Sequence, residues 1–359
     1  MLRINSISLT QFKNYFNRSF NFEERIIGIC GKNGVGKTNL LDAIHYLCFS
    51  KSYFSKDSIN ALHGQQGFRI EGRLRLFDKE ETAICILRET GKKEFSVNGE
   101  LYEKFSRHIG RYPCVIIAPD DVQLIIGASD ERRKFIDLLL SQLFPDYLQN
   151  LIVYNKVLLQ RNSLLRSFAE NGTKNISLLE VLDEQLIKPG EMISEKRKEF
   201  LVGFLPLVKK LYNEIAQQYE DITIFYDSEL LQSSFIELLK ASRNKDCMVQ
   251  RTSCGIHRDD LEINLGNQAF KNIASQGQRK SLLFALKLAE MEVLKNEKGF
   301  APLLLLDDVF EKLDEDRISN LLQRVCIQND GQVFITDTNA QRIRQHLEQL
   351  PVVYQLIEI

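Results

Sequence analysis

Alternation of polar and apolar side chains predicts that the first third of the chain forms strands. The alternation runs through residues 3–30 and again through residues 68–118, and a period of two is typical of strands that bury one face. We expect two edge strands at the start, followed by a buried strand at Ile26–Cys30. Asn98-Gly99 is a typical two-residue hairpin turn.

From Asp130 the hydrophobic period lengthens to about 3.6 residues, which predicts helices. The helical pattern continues to about Leu239. Its breaks predict several packed helices rather than one long coiled coil, and we expect them at Pro145, Gly172 and Pro189-Gly190. Residues 250–359 return to a mixed pattern, with aliphatic strands at Leu303–Leu306 and Val333–Ile335.

The order of these patterns predicts an α/β fold in which one sheet combines the early and the late parts of the chain. A helical domain would then be inserted between those two parts. We therefore divide the chain into residues 1–125, the helical insertion at residues 126–248, and residues 249–359.

The composition changes this picture little, whereas the distribution of charge adds to it. With 44% hydrophobic and 26% charged residues over 359 positions, the chain is not disordered, collagen-like or a disulfide scaffold. No apolar run approaches the roughly 20 residues of a membrane helix. The net charge of −1 conceals a gradient, from +6 in residues 1–111 to −4 in residues 112–249 and −3 in residues 250–359. A basic first third can bind phosphate groups even in a slightly acidic chain.

The seven cysteines are scattered and have no CxxC spacing. This favours small buried side chains in a reduced compartment over metal ligands or disulfides. The opening residues also lack the pattern of a secretory signal. Both observations predict a cytoplasmic protein.

A phosphate-binding loop follows the strand at Ile26–Cys30. Eight residues satisfy the pattern G-x-x-x-x-G-K-[ST]: Gly31, Lys32, Asn33, Gly34, Val35, Gly36, Lys37 and Thr38. A helical pattern follows at once, so strand, loop and helix stand in the order that the motif requires. The N–H groups of such a loop bind phosphates at the positive end of the helix dipole. We expect Lys37 to reach the β- and γ-phosphates of ATP, and Thr38 to bind Mg²⁺.

Two carboxylates follow the strand Leu303–Leu306, which its four leucines predict to be buried on both faces. A P-loop ATPase needs a carboxylate at the end of such a strand. We expect Asp307 to bind Mg²⁺, directly or through water, and Asp308 to orient or deprotonate the attacking water. Without the P-loop, an ordinary loop start would explain the pair as well.

Ser275-Gln276-Gly277-Gln278 begins another helical pattern, and Ser275 lies 32 residues before Asp307. The start of a helix can bind an anion, here through Ser275 and Gly277. This segment cannot serve the phosphate of its own P-loop, so it would act on a nucleotide held by another molecule. Taken alone, Ser275 would be an ordinary helix cap.

In this order, the P-loop, Ser275–Gln278, Leu303–Asp308 and Leu313-Asp314 resemble the Walker A, signature, Walker B and D-loop motifs of ABC-type ATPases. Five stretches more narrowly resemble the RecF family of bacterial recombination mediators. They are residues 9–15, 118–122, 132–137, 255–261 and 275–290. The resemblance covers essentially the whole chain.

The resemblance implies an ABC/SMC-like P-loop ATPase head with an inserted helical domain and no long coiled coil. RecF-like proteins act in DNA repair, replication, recombination and the SOS response. They bind double-stranded DNA as ATP-held homodimers and show a weak, DNA-stimulated ATPase activity. They help load recombinase at single-strand gaps with RecO and RecR partners, away from membranes. The resemblance thus implies ATP and Mg²⁺ as cofactors, with Ser275 of one subunit contacting the γ-phosphate held by Lys37 of the other.

Three positions depart from the ABC pattern. The Walker B motif ends in Asp308, one methylene shorter than the glutamate of ABC transporters. The switch histidine is missing after the last core strand, where Thr336-Asp337-Thr338 follows Ile335. The Q-loop glutamine is not evident, because Asp120-Asp121 occupies roughly its place, although Gln123 is near.

Three other function classes remain open from the sequence. A transporter ATPase subunit would be shorter and would lack the helical insertion. Another SMC-like ATPase, or a P-loop nuclease of the overcoming-lysogenization type, would share the motifs, but the nuclease would need a further metal-binding domain. A DNA-binding scaffold with ATP as a switch only is disfavoured by the intact P-loop and by Asp307 and Asp308, but it stays open.

Overall fold

The computed structural model describes residues 1–171, 175–216, 220–312 and 315–359. The strands in these ranges are β1 (Leu2–Phe12), β2 (Tyr15–Asn21), β3 (Ile26–Cys30), β4 (Phe68–Leu76), β5 (Lys79–Leu87), β6 (Lys93–Val97), β7 (Glu100–Leu101), β8 (Cys114–Ile117), β9 (Ile222–Asp227), β10 (Asp260–Leu265), β11 (Gln268–Ala269), β12 (Leu303–Leu306), β13 (Val333–Asp337) and β14 (Tyr354–Glu358). The helices are α1 (Lys37–Phe49), α2 (Gln123–Ile126), α3 (Ser129–Leu143), α4 (Pro145–Asn171), α5 (Ile176–Ala216), α6 (Phe235–Val249), α7 (Phe270–Ile273), α8 (Gln276–Lys298), α9 (Glu315–Leu322) and α10 (Ala340–Glu348). Internal contacts divide the chain into a first unit, Met1–Asp121 with Leu283–Ile359, and a second unit, Val122–Leu282.

The core of the first unit is a five-stranded parallel sheet in the order β14-β3-β13-β12-β8. Strands from the early and the late parts of the chain are interleaved in it, which confirms the prediction of one shared sheet. Every residue of β3, β8, β12 and β13 is buried. This is the pattern of a parallel sheet that is covered on both faces.

A second, antiparallel sheet of the first unit has the order β2-β1-β4-β5-β6-β7. β1 lies between β2 and β4, so the prediction of two edge strands at the start is wrong for the first of them. Alternation reports which face of a strand is buried but does not report its neighbours, and an inner strand of a half-buried sheet therefore has the pattern of an edge strand. The predicted turn at Asn98-Gly99 is confirmed, with positive φ angles of 52° and 84°.

The second unit combines the helices α2–α7 with a three-stranded sheet in the order β11-β10-β9. The break predicted at Pro189-Gly190 is wrong, because α5 continues through both residues. A Cβ atom added at Gly190 would lie 2.5 Å from the ring of Phe235. We attribute the continuous helix to this close packing. It compensates for the loss of the backbone hydrogen bond that a proline cannot donate.

The strand β9 lies within the stretch whose pattern predicts helices, and that part of the helical prediction is wrong. It pairs with β10 along its whole length, from Ile222↔Leu265 to Asp227↔Asp260. Residues on both sides of the predicted border at 248 therefore share one sheet. The two units defined by contacts have other boundaries than the three parts predicted from the sequence. That three-part division stays a prediction.

Six of the seven cysteines are buried, Cys247 is partly buried, and all seven are free thiols. This confirms the prediction of small buried side chains. Among the described residues, no helix is both long enough and apolar enough to cross a membrane.

Candidate functional site

The candidate site lies in the first unit, where neighbouring parallel strands end. β3 leads into the P-loop, β12 ends immediately before Asp307, and β13 includes Thr336. β13 pairs with both β3 and β12, so the carboxyl ends of all three strands meet at one edge. This edge is the usual ligand site of an open α/β sheet.

The shape of the P-loop depends on Gly36. Its φ is 116°, and an added Cβ would lie 2.7 Å from the Asn14 side chain and 2.8 Å from the Tyr15 hydroxyl. Both side chains hold the loop, because the Asn14 amide donates to the carbonyl of Val35 at 2.8 Å and the Tyr15 hydroxyl donates to the carbonyl of Gly36 at 3.0 Å. Burial raises the pKa of Tyr15 to about 12, so the hydroxyl keeps the proton that it donates.

The Lys37 side chain folds back over the loop that it follows. It is only 4% exposed, and its ammonium donates to the carbonyls of Gly31 at 2.9 Å and Lys32 at 3.2 Å. The loop thereby holds one positive charge beside N–H groups at the start of α1. A positive charge at a helix N-terminus is the arrangement that binds phosphate.

Hydroxyl groups from the first turn of α1 and from β13 converge on Asp307. The Thr38 hydroxyl lies 3.0 Å and 2.9 Å from the two carboxylate oxygens. The Thr336 hydroxyl donates to one of them at 2.8 Å and accepts the backbone N–H of Asp308 at 2.9 Å. The result is a compact group of oxygen atoms beside the P-loop.

The burial of Asp307 sets its protonation. The residue is 4% exposed, and this burial raises the pKa of its carboxyl above the ordinary value. Hydrogen bonds from Thr336 and Thr38 and the charge of Lys37 lower the pKa, but they offset the burial only in part. A bound cation would stabilise the ionised form further.

These residues fit the group that the P-loop implies. One carboxylate and one hydroxyl are the hard oxygen ligands that Mg²⁺ takes from a protein when phosphate and water complete its shell. Thr38 and Asp307 converge in this way. Elsewhere in the described chain, no cluster of three or more His, Cys, Asp or Glu residues could hold a metal ion.

Asp308 has an unusual backbone conformation, with φ at 44°. The left-handed region costs a non-glycine residue roughly 1–3 kcal/mol and is often found at functional sites. The bond from its N–H to Thr336 holds the conformation.

The neighbouring aspartates are already engaged. Asp337 is fully buried, and the Arg342 guanidinium donates to both its oxygens at 2.8 Å and 2.7 Å. Asp121 accepts the backbone N–H of Ala118 at 2.9 Å and the hydroxyl of Tyr53. These bonds give both carboxylates a structural role, whereas Asp120 and Gln123 are exposed.

Ser275 and Gly277 belong to the second unit, at the start of α8. The Ser275 hydroxyl accepts the N–H of Gln278 at 3.1 Å, and the Gln278 side chain accepts the N–H of Ser275 at 2.7 Å. This reciprocal pair is a capping box. Ser275 nevertheless remains exposed, so its hydroxyl is accessible from solvent. Leu313-Asp314 lies outside the described residues.

The structure thus brings together the P-loop, Asp307 and Asp308, and adds three residues for which the sequence suggested no role. Asn14 and Tyr15 hold the loop, and Thr336 joins the two aspartates. No local signal marks Thr336, because its closeness to Asp307 depends on β13 lying beside β12. The sequence does not state this strand order.

The chain is similar to known proteins over nearly its whole length. The family described as "RecF/RecN/SMC N terminal domain" matches residues 3–356. The DNA replication and repair protein RecF of Flavobacterium johnsoniae is 42% identical over 359 residues, which is the full length of both chains. The protein of the same name from Bacteroides thetaiotaomicron is 39% identical over 98% of this chain and 95% of its own length.

Solved structures give the same result. A recombination mediator protein RecF described with ATPrS in the RecFOR pathway has a TM-score of 0.89 at 29% identity, covering 100% of this chain and 96% of the other. The Smc head domain of Pyrococcus furiosus has a TM-score of 0.54 at 17% identity over 94% and 90%, which supports the ABC/SMC-like fold alone. The chain belongs to the RecF family of DNA replication and repair proteins.

Proposed function

We propose that this protein is a DNA-repair ATPase that binds Mg²⁺–ATP, dimerises in response, and binds double-stranded DNA as the dimer. It hydrolyses ATP slowly, with stimulation by DNA, and helps load recombinase at single-strand gaps together with RecO- and RecR-type partners. The observation that carries the proposal is the convergence of the Thr38 and Thr336 hydroxyls on the Asp307 carboxylate, beside a P-loop that holds the Lys37 ammonium. Support for ATP comes from a relative solved as RecF-ATP, 31% identical over 94% of this chain.

Phosphate binding follows from the loop and its lysine. The N–H groups at the start of α1 point along the helix dipole and bind phosphate oxygens. The Lys37 ammonium exchanges its contacts with Gly31 and Lys32 for charged phosphate oxygens, which form stronger hydrogen bonds than neutral carbonyls do. Asn14 and Tyr15 keep the loop in its binding shape.

The oxygen group around Asp307 holds the metal side of the nucleotide. When bound, Mg²⁺ supplies positive charge that neutralises the phosphates during transfer. Thr38 and Asp307 are the residues that hold it. The raised pKa of Asp307 makes this binding sensitive to acid, because the protonated carboxyl is a poor ligand.

Asp308 is the residue that accepts a proton from the attacking water. Its left-handed φ of 44° is a costly backbone conformation of the kind that is often found at functional sites, which supports this role. Its N–H is held by Thr336, which fixes the backbone from which the carboxylate projects.

The dimer requires Ser275 to act in trans. Its hydroxyl already caps α8 by accepting one N–H, and the exposed helix start retains further N–H groups for a γ-phosphate of the partner's nucleotide. In a symmetric dimer each signature segment serves the other subunit's P-loop, so two composite sites form.

The test is sedimentation velocity with and without Mg²⁺–ATP, repeated with duplex DNA, on the wild type and on Ser275→Asp. Aspartate caps a helix as well as serine does, so α8 is retained. Its negative charge would repel the partner's γ-phosphate. The wild type is expected to dimerise with ATP and to bind DNA in that state, whereas Ser275→Asp is expected to bind ATP as a monomer.

Two results would contradict the proposal. A wild type that stays monomeric with ATP would remove the nucleotide-controlled dimer. Normal dimerisation of Ser275→Asp would leave Ser275 as a helix cap and remove the contact in trans.

A further inference from the structure

One face of the antiparallel sheet in the first unit carries a group of arginines. Residues of β1 and β4 alternate between a buried side, which packs on α1, and a more exposed side. We call the more exposed side of β1, β2 and β4 the open face. Its residues are Arg3, Ser6, Ser8, Thr10, Asn17, Ser19, Asn21, Arg69, Glu71, Arg73 and Arg75.

The strand register brings three of these arginines together. Arg3 lies directly across from Arg75, and Arg73 lies across from Ser6 on the same face. Across the described residues, no carboxylate lies within 4.0 Å of any of the three guanidinium groups. Glu80 of β5 is the cross-strand partner of Arg75, but its carboxylate does not come within 4.0 Å of the Arg75 guanidinium. Within the described ranges, none of the three guanidinium groups is therefore held in an ion pair.

Such an arrangement is costly unless an anion uses it. Directly opposed side chains lie about 4.5–5.5 Å apart, and like charges at that distance destabilise a sheet. The group lies on a sheet face, whereas single small ligands are bound in concave pockets. An extended polyanion fits this geometry better than one nucleotide does.

The other side chains of the open face indicate which polyanion fits. Most of them are short hydroxyl or amide groups, such as Ser8 and Ser19, whose oxygens lie 2.9 Å apart, and such groups donate to phosphate oxygens. None of the residues of the open face is aromatic. Binding of single strands relies on stacking of bases on aromatic rings, so the face favours the backbone of a duplex.

We propose that the open face binds the phosphate backbone of duplex DNA through Arg3, Arg73 and Arg75. The contact is electrostatic and independent of base sequence. This inference rests on the proposed DNA-binding function and extends it by naming the surface. None of the three arginines belongs to the nucleotide site, so ATP binding does not require them.

The experiment compares two triple variants of the full chain with the wild type in the presence of Mg²⁺–ATP. The test variant is Arg3→Gln/Arg73→Gln/Arg75→Gln. The control variant removes the same charge from the same unit, at positions outside the open face that already have carboxylate partners. It is Arg88→Gln/Lys92→Gln/Lys295→Gln, whose cations pair with Glu94 or Asp330 at 2.8 Å, 3.2 Å and 2.5 Å.

Affinity for a duplex without overhangs is measured by fluorescence anisotropy over a range of salt concentrations. The test variant is expected to bind about 10- to 100-fold more weakly at low salt. Its slope of log affinity against log salt should fall by about 2.7 per protomer in contact, since each lost phosphate contact removes roughly 0.9. The control variant is expected to keep the affinity and slope of the wild type.

Two further measurements separate binding from folding. The thermal midpoint of the test variant should be unchanged or higher, because a repulsion has been removed, and its ATP-dependent dimerisation should be normal. If the triple variant is unstable, the single variant Arg75→Gln gives the same comparison, with a slope change of about 0.9.

The results distinguish the two levels of the proposal. If the wild type binds no duplex with ATP, both the proposed DNA binding and this inference are wrong. If the wild type binds and the test variant binds equally well, only the open face is excluded. Equal weakening of the test and control variants also overturns it, because net charge alone would then explain the loss.

Discussion

Each of the two units contains a set of charged residues, and the two sets have different environments. In the first unit, polar groups from separate strand ends meet at the P-loop, around one carboxylate with a raised pKa. In the second unit, Arg132, Arg161 and Arg197 form buried ion pairs. Arg161 is fully buried and donates to Asp183 and Asp246 at 2.6 Å and 2.7 Å.

The segments that most resemble the RecF family outside the P-loop follow this second pattern. Arg132 donates to both oxygens of Asp260 at 2.6 Å and 3.0 Å. Arg197, 1% exposed, donates to Asp259 and Asp137 at 2.6 Å and 2.7 Å. A family-specific charged motif can therefore be structural. The nucleotide site and these ion pairs differ in one respect, which is whether a cation of the protein already neutralises the carboxylates.

The comparison predicts its largest effect at Lys37. Lys37→Ala is expected to abolish ATP-dependent dimerisation, because the γ-phosphate charge is left uncompensated. The fold should persist, since the ammonium bonds only to carbonyls of its own loop. Nucleotide titration and sedimentation measure the loss, and Lys32→Ala, exposed in the same loop, is the matched control. Normal dimerisation of Lys37→Ala would disprove the P-loop assignment.

Asp308→Asn is expected to bind ATP and dimerise but to hydrolyse ATP about 10²- to 10⁴-fold more slowly. The amide keeps the shape of the carboxylate, and the loss of a general base typically has that effect. Single-turnover measurement of phosphate release checks it. Unchanged turnover would assign proton transfer to another residue, and Asp337 is a poor substitute because Arg342 occupies both of its oxygens.

In the second unit, Arg197→Met is expected to lower the free energy of unfolding by about 3–5 kcal/mol, because it leaves the buried Asp259 carboxylate without a cation. Arg258→Met, at an exposed position in the same family-specific segment, should change it by less than about 0.5 kcal/mol. Urea denaturation measures both. The folded Arg197→Met protein should bind ATP with wild-type affinity, and a specific loss of ATP binding would break the contrast between the units.

The smallest effect is expected at Thr336. Thr336→Val removes a hydrogen bond that lowers the pKa of Asp307, so that pKa rises further. Mg²⁺-dependent ATP affinity, which is lost as pH falls through this pKa, should therefore be lost at a higher pH than in the wild type. The decrease in affinity should be about fivefold, for a bond worth roughly 1 kcal/mol. Calorimetric titration across pH, with Thr336→Ser as the control, would reveal an unchanged pH profile if the hydroxyl has no such role.

The sequence predicted the local features of the nucleotide site and missed those that depend on tertiary structure. Ile26–Cys30, the P-loop and Leu303–Leu306 are local patterns, and their positions are confirmed as strand, loop and strand. Thr336 could not be found, because its partner depends on β13 lying beside β12. The roles of the predicted site residues in catalysis and nucleotide binding stay predictions.

The errors in the second unit have the same origin. The strand β9 has six residues within a long stretch of helical pattern, and only its pairing with β10 gives it an extended conformation. Pro189 favours a break in an isolated helix, but α5 packs its neighbour Gly190 against the Phe235 ring. In both cases tertiary contacts outweigh local preference.

The interleaved order of the parallel sheet also has a consequence for synthesis of the protein. Thr38 and Asp307 are 269 residues apart, and a ribosome adding roughly 5–20 residues per second needs about 13–54 s to cover that interval. During this time β3 and β8 emerge before β12 and β13, which separate them in the sheet. A nascent chain thus carries a P-loop without its carboxylate, and it has no complete nucleotide site until the late strands have been translated.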